Sequence, residues 1–599
     1  MGQPFIAKMN KKNLIFSAAQ YVSLVAFILF MVYVLYINQE VFYTVHDRSE
    51  FIFGSPFFHT LMSKPFGLMR YVGAWLTQFF YYPALGSGML VAIWALIFVV
   101  GAKAFRLQGA ASALMFLPVA CLLTSVVDLG YWIYVCPFKG YWFSQSVGYL
   151  VMLLLLWVAR CTPRKWHIVW YLLGFCIYPV LGWYAMLFVI CLALSGKFSW
   201  REIAGLALLL FTVGIWHGLL YSNLKFDDVV LAGFPRFIKG LDSSKQLSYP
   251  FVVLGVFSVI IPLCGKCLAK WFVPALCALA GILFTSSFMY RDKKYIDEMR
   301  MVRYACDEDW KEVLSIVKEY NKPTCTMMFL KNIALMNEGG LLDSSFKTGN
   351  IAGRIYSPDL QHVSFLQIVS PLVYYNYGMM NEAIRLSYEN GVQEGFSPFI
   401  LKVLSRCTFA TKENELSERF VTLLNHHPFY ADWQPAKPTA KVAELQKCYP
   451  DELSGTENSD RYVVNSISLW YESDSKVASE QSLFYSMLRC DAFTFWHSLR
   501  KYLQKHEGED FPLHAQEAYI LFMDRAPEEK RMMIPVEEDV YNRYKKFGET
   551  LVRLMKPGKT IGDVAEAMRS EWEGTYWYYF FFGRQYSTPV ERKDNEIAS

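Results

Sequence analysis

The stretch Leu14–Ile37, LIFSAAQYVSLVAFILFMVYVLYI, decides how the rest of the chain is read. It carries no charged residue and exceeds the roughly 20 residues that a helix needs to cross about 30 Å of hydrocarbon. Lys8, Lys11 and Lys12 precede it. It is too long for the apolar region of a signal peptide, and Tyr36-Ile37-Asn38 offers no small-residue cleavage site. It therefore reads as a retained transmembrane helix. Further apolar runs follow at Pro83–Gly101, Ala110–Val127, Tyr141–Ala159, Ile203–Ser222, Pro250–Cys264 and Trp271–Tyr290. Trp and Tyr crowd their ends, as amphipathic rings do at the headgroup level.

Trp166–Leu194 behaves differently, because Pro179 and Gly182 interrupt it. Each half is about 18–20 Å long at 1.5 Å per residue, too short to cross. A hairpin that enters and returns accommodates both halves if its turn is buried by other helices. With the N-terminus inside, that hairpin leaves Lys103/Arg106, Arg160/Arg164/Lys165, Lys197/Arg201 and Lys266/Lys270 in inner loops. Every short inner loop is then basic, as the positive-inside rule expects. The expectation is a polytopic helix bundle over residues 1–290, with about seven spans plus one hairpin, in the cell inner (plasma) membrane. The N-terminus is cytoplasmic and residues 291–599 lie outside the cytoplasm.

Composition supports this division. The 599 residues are 54% hydrophobic and 17% aromatic, with only 19% charged, and the charged residues concentrate after Arg291. A net charge of +5 is small for this length and gives no nucleic-acid footprint. The 13 cysteines are irregularly spaced, eight of them before residue 290, which excludes a disulfide framework. Cys264-Gly265-Lys266-Cys267 lacks the second pair or nearby His that a metal or redox site needs.

After Tyr295 helical periodicity dominates. Trp310, Val313, Leu314 and Val317 fall at i, i+3, i+4 and i+7, behind Asp307 as a candidate cap. Short apolar-faced segments separated by Gly, Asn and Pro recur through the half, among them Ser364–Tyr377 with Met379–Asn390 and Ser479–Arg489 with Ala492–Lys505. Paired short helices of this kind predict an α-solenoid, and the whole chain is expected to be all-α. Tyr374, Gly378 and Ala383 carry tetratricopeptide-like spacing at a turn. The aromatic run Trp572–Phe582 (WEGTYWYYFFF) suits the covered end of such an array.

Phosphate-cradling glycine loops, H-E-x-x-H, EF-hand loops and nucleophile elbows are missing from the sequence, so neither metal nor cofactor is expected. His426-His427 precede Pro428 at a helix end, where imidazoles interact with the helix dipole. The segment 38–82 is the first outer loop, with an interfacial helix expected over Phe66–Tyr82. It holds His46, Asp47 and Glu50. A carboxylate at the dry edge of a membrane gains basicity by desolvation, which makes Asp47 and Glu50 candidate general bases. Solvated loop acids are the plainer alternative. Arg236 and Lys239, in the third outer loop, are candidates to hold a lipid pyrophosphate, with His46 as a further substrate contact.

Tyr71–Gly86 (YVGAWLTQFFYYPALG), Tyr374–Glu389 (YYNYGMMNEAIRLSYE) and Gly395–Leu404 resemble an uncharacterised bacterial family of multi-pass membrane proteins with a tetratricopeptide-like C-terminal half. That likeness implies no activity. A looser resemblance is to GT-C-class membrane glycosyltransferases, with Asp47 or Glu50 matching their first-loop acid and Phe66–Tyr82 their amphipathic helix. The chain departs from that class in lacking an adjacent acidic pair in this loop. The GT-C likeness implies sugar transfer from a lipid-linked donor. The other expectation is a non-catalytic membrane scaffold whose helical half binds a protein partner. In both, membrane lipids are partners and nucleic acid is not.

Overall fold

Apolar segments leave their backbone groups no outside partner, and the α-helix satisfies each group within the segment. In the computed structural model this holds throughout. Residues 11–134, 139–195, 199–235, 247–264, 272–320, 323–347, 365–449, 472–525, 534–555 and 559–583 are described, and among them every regular element is helical. The chain divides into two compact units. The first comprises Met1–Asp292 with Glu394–Phe399 and Leu423–Trp433; the second holds Lys293–Gln393, Ile400–Thr422 and Gln434–Ser599.

The first unit contains α1 (Lys11–Ile37), α2 (Gln39–Arg48), α3 (Ser55–Met62), α4 (Gly67–Thr77), α5 (Pro83–Ala104), α6 (Phe116–Val127) and α7 (Tyr141–Cys161). After them come α8 (His167–Cys176), α9 (Tyr178–Leu181), α10 (Trp183–Leu194), α11 (Trp200–Leu219), α12 (Phe226–Val230), α13 (Tyr249–Cys264) and α14 (Val273–Phe288). Five stretches are long and apolar enough to cross a membrane: Gln20–Ile37, Pro83–Ala104, Gly109–Val127, Tyr141–Cys161 and Trp200–Leu219. Counting α14 together with the helix after it raises the number to six. The expected runs Pro250–Cys264 and Trp271–Tyr290 fold as helices of 16 residues each, about 24 Å at 1.5 Å per residue. Large apolar side chains stay exposed along these helices, including Leu29, Leu96, Leu210, Phe211, Val256 and Leu279. Apolar surface on this scale is compatible with a membrane protein.

The broken segment folds back on itself. Gly174 of α8 lies against Val189 and Phe188 of α10. His167, at the start of α8, sits 3.4 Å from Glu202 in the first turn of α11, and α10 ends just before α11 begins. Gly182 makes the turn at φ +55, with the carbonyl of Ala232 only 2.1 Å from where a Cβ would stand. Any larger residue would force these backbones apart. Two exchanges satisfy the turn: Trp183 N donates to Ala232 O (2.8 Å) and Phe66 N to Pro179 O (2.8 Å).

In the second unit, short helices pack on their sequence neighbours, as Lys476–Arg489 does on Ala492–Lys505. The helix Trp310–Val317 buries Trp310, Val313, Ile316 and Val317. Its cap is Asp309, whose carboxylate accepts from Glu312 N, whereas Asp307 still belongs to the end of the preceding helix through its N–H to Arg303 O. The aromatic run forms the helix Tyr576–Phe582, with Tyr576, Trp577, Tyr578 and Phe582 buried. Glu517 anchors it: Oε2 accepts from Tyr576 N (2.7 Å) and lies 2.9 Å from His514 Nδ1, while its carbonyl accepts from Trp577 Nε1 (2.8 Å).

Candidate functional site

The candidate acids sit at the end of α2. Asn38 joins α1 to α2, and its Nδ2 donates back to Val34 O at 2.8 Å. Val41, Phe42, Val45, His46 and Asp47 are the buried residues of α2. Phe42 stacks on Phe80 at 4.7 Å, which fixes the helix against the 3-10 turn Gln78–Tyr81. His46 and Asp47 are thereby held under aromatic residues. The His46 ring stacks on Tyr430 at 5.7 Å and meets Tyr81 edge-on at 5.4 Å. Tyr430 also directs its hydroxyl at Asp47 Oδ1 over a long 3.5 Å. Phe429 stacks on Tyr81 at 5.2 Å and meets Tyr82 and Phe79 edge-on.

Glu50 is occupied in a different way. Lys139 Nζ donates to its Oε2 at 2.7 Å, with the carboxylate only 14% exposed. Gly395 lies directly over that carboxylate at φ +105, and a Cβ there would stand 2.1 Å from Oε2. Arg48 places its guanidinium 5.7 Å from the Phe399 ring centroid. Neither acid is the solvated loop residue of the plainer expectation. Asp47 is 7% exposed, and both acids are covered by residues of Glu394–Phe399 and Leu423–Trp433.

His46 and Asp47, both on α2, share Tyr430 as a neighbour, whereas Glu50, just beyond α2, meets Lys139 and Gly395 instead. Arg236 and Lys239 lie outside the described residues. Lys139, Gly395, Phe429 and Tyr430 complete the neighbourhood without having been singled out from the sequence. His426 is exposed as expected of a helix end, but His427 is buried at 2%. Among the described residues, no three His, Cys, Asp or Glu side chains converge as metal ligands would.

A second polar cluster joins other helix ends of the same unit. Arg106 donates to Arg160 O, and Arg160 to Ala104 O at 2.6 Å, tying the ends of α5 and α7. Arg164 reaches Glu202 Oε1 at 3.3 Å, and Glu202 closes a capping box with Ser199 at the start of α11. Lys103 lies 4.9 Å from the Trp157 ring, and Arg201 5.6 Å from that of Trp200.

The second unit carries a cavity of about 760 Å³ lined by Glu444, Lys447, Cys448, Glu472, Asp474 and Ser475, among others. Lys505 and Lys501, at 3.0 and 3.4 Å, hold the Asp474 carboxyl below its ordinary range by hydrogen bonding and charge. Glu444 accepts from Ser475 Oγ at 2.6 Å. Burial raises the Cys448 thiol above its usual value, which makes it a poor nucleophile.

No curated protein and no solved structure matches the chain. Residues 13–583 match one described group of sequences, nearly the whole length. By that match the chain belongs to the family described as "Family of unknown function (DUF6057)".

Proposed function

We propose that the protein is a multi-pass scaffold of the cell inner membrane whose helical second unit binds a protein partner outside the cytoplasm. One observation carries this reading: the acids that chemistry would need are already committed to internal contacts. Glu50 is engaged with Lys139 beneath Gly395, and Asp47 lies under Tyr430. A carboxylate held in this way, Glu50 by the Lys139 ammonium and Asp47 beneath Tyr430, is less open to a substrate than an exposed one. A concave surface in the second unit, the cavity around Glu444, Lys447 and Asp474, offers charged side chains to an extended peptide segment.

The orientation follows from charge. Lys103, Arg106, Arg160, Arg164, Lys165 and Arg201 gather where α5 and α7 end and α8 and α11 begin. The positive-inside rule makes that end cytoplasmic. The end of α14 pairs with the end of α6, Tyr290 N donating to Val127 O at 3.0 Å, which supports an exit of the chain on the side opposite the basic cluster. A tetratricopeptide-like α-solenoid is the architecture we assign to the second unit. Tyr374, Gly378 and Ala383 support it by flanking the turn between Phe365–Asn376 and Met380–Glu394, where Ala383 is fully buried.

The test is site-specific photo-crosslinking in intact cells. A crosslinker at Lys447 should capture one discrete partner, lost on Glu472→Lys, whereas one at Glu549 should capture none. Equal labelling from both positions would refute partner binding at the cavity. A second reading, a GT-C-like transferase using a lipid-linked sugar, rests on Asp47, an enclosed carboxylate just after the first span-length helix. Asp47 or Glu50 would then activate the acceptor hydroxyl, while Arg236, Lys239 and His46 hold the donor. That reading requires Asp47→Asn to abolish sugar transfer with the melting temperature unchanged; a scaffold requires the melting temperature itself to fall.

A further inference from the structure

The cytoplasmic end of the first unit carries cations in excess of anything the fold uses to neutralise them. Six basic residues gather there, Lys103, Arg106, Arg160, Arg164, Lys165 and Arg201, and among the described residues only Glu202 answers them, pairing with Arg164. The guanidiniums of Arg106 and Arg160 donate to backbone carbonyls at the ends of α5 and α7. Such bonds orient a guanidinium without cancelling its charge, and leave further N–H groups of the fork for an anion. Lys103, Arg106 and Lys165 are exposed.

The surroundings narrow the anion. Trp166 and Trp200 are exposed at this rim, and Trp157 lies beside Lys103. Immediately along α8 and α11 from the cations, Ile168, Val169, Leu172, Ile203 and Leu210 present bare apolar side chains. A cationic rim with interfacial tryptophans above an exposed apolar wall matches a molecule with a phosphate head and alkyl tails.

We propose that the rim formed by Lys165, Arg201 and the ends of α5 and α7 binds the phosphate headgroup of an anionic phospholipid, whose acyl chains lie along α8 and α11. This inference rests on the orientation given above. Arg201, which also donates to Arg164 O at 3.4 Å, links the α11 side of the rim to the α7–α8 connection. The lipid would therefore bridge α8 and α11 at the point where the returning hairpin meets the next crossing helix.

The experiment uses the full chain in nanodiscs of phosphatidylcholine containing phosphatidylglycerol, with native mass spectrometry counting the lipids retained. The wild type should keep phosphatidylglycerol preferentially. Lys165→Gln and Arg201→Gln should each lower that preference about fivefold, and the pair about 25-fold, from the energy of one cation near an anionic surface. Lys165 is the decisive position, because its exposed side chain can be changed with the fold intact; Lys546→Gln, in the second unit, should change nothing. Equal retention of the two lipids by the wild type, an unaltered preference in Lys165→Gln, or displacement of the lipid by excess inorganic phosphate would each overturn the proposal. A chain that never enters nanodiscs would instead overturn the membrane reading, which keeps the two failures apart.

Discussion

Gly395→Ala is the sharpest perturbation of the candidate site. Its φ of +105 is a conformation that a residue with a Cβ adopts only at a cost of about 1–3 kcal/mol. The new methyl carbon would also stand 2.1 Å from Glu50 Oε2 and 2.6 Å from its Cδ, so the carboxylate must leave Lys139. Because Lys139 is 32% exposed, that ion pair adds only about 1 kcal/mol. The total is about 3 kcal/mol, which lowers the melting temperature by about 2–5 °C. In a Glu50→Ala background the contacts with Oε2 and Cδ and the ion pair are gone, and the backbone cost remains with a 3.1 Å approach to the residue-50 Cβ. The two substitutions should therefore be non-additive by about 1 kcal/mol. Thermal unfolding of the detergent-solubilised full chain, followed with a thiol-reactive dye, measures all four corners of the cycle. Unchanged melting of Gly395→Ala, or strict additivity with Glu50→Ala, would refute the claim that Glu50 is a strut.

Two further outcomes follow from the second unit. Burial pushes the Lys331 ammonium down to about 7, while its Nζ donates to Ser345 O at 2.7 Å. The unfolded chain holds that proton up to about pH 10.4, so between pH 7 and pH 10 it binds more protons than the native state and stability rises with pH. The cost of burying the charge is fully present below pH 7; Lys331→Met should flatten the rise seen in melting curves between pH 7 and 9. Glu517→Ala leaves Tyr576 N without its buried acceptor and should cost about 3 kcal/mol. It should expose the segment around Tyr576–Phe582 to limited proteolysis at temperatures where the wild type resists.

What was legible in the sequence was local. The uninterrupted run Leu14–Ile37 and the break at Pro179 and Gly182 are short-range patterns, and α1 and the α8–α10 fold-back follow from them. The run Pro250–Cys264 matches α13 to one residue, whereas α14 is shorter than Trp271–Tyr290, because apolar residues flank the helix at Phe272 and Met289. The cap is Asp309 rather than Asp307 because both are good caps and the Asp307 N–H is already used by the preceding helix at Arg303 O. The surroundings of Asp47 were not legible at all. Tyr430 lies 383 residues further along, and no periodicity or motif encodes a contact across that distance. The same holds for His427, whose burial comes with membership of Leu423–Trp433 in the first unit.

The inclusion of Glu394–Phe399 and Leu423–Trp433 in the first unit sets an order on biosynthesis. Ribosomes add about 5–20 residues each second, so Asp47 waits roughly 20–80 s before Tyr430 exists to cover it. During that interval the His46 and Tyr81 rings are without their late-arriving neighbours. The N-terminal unit is therefore topologically early but finished late, and a nascent chain halted before residue 394 would present an incomplete face to chaperones and proteases.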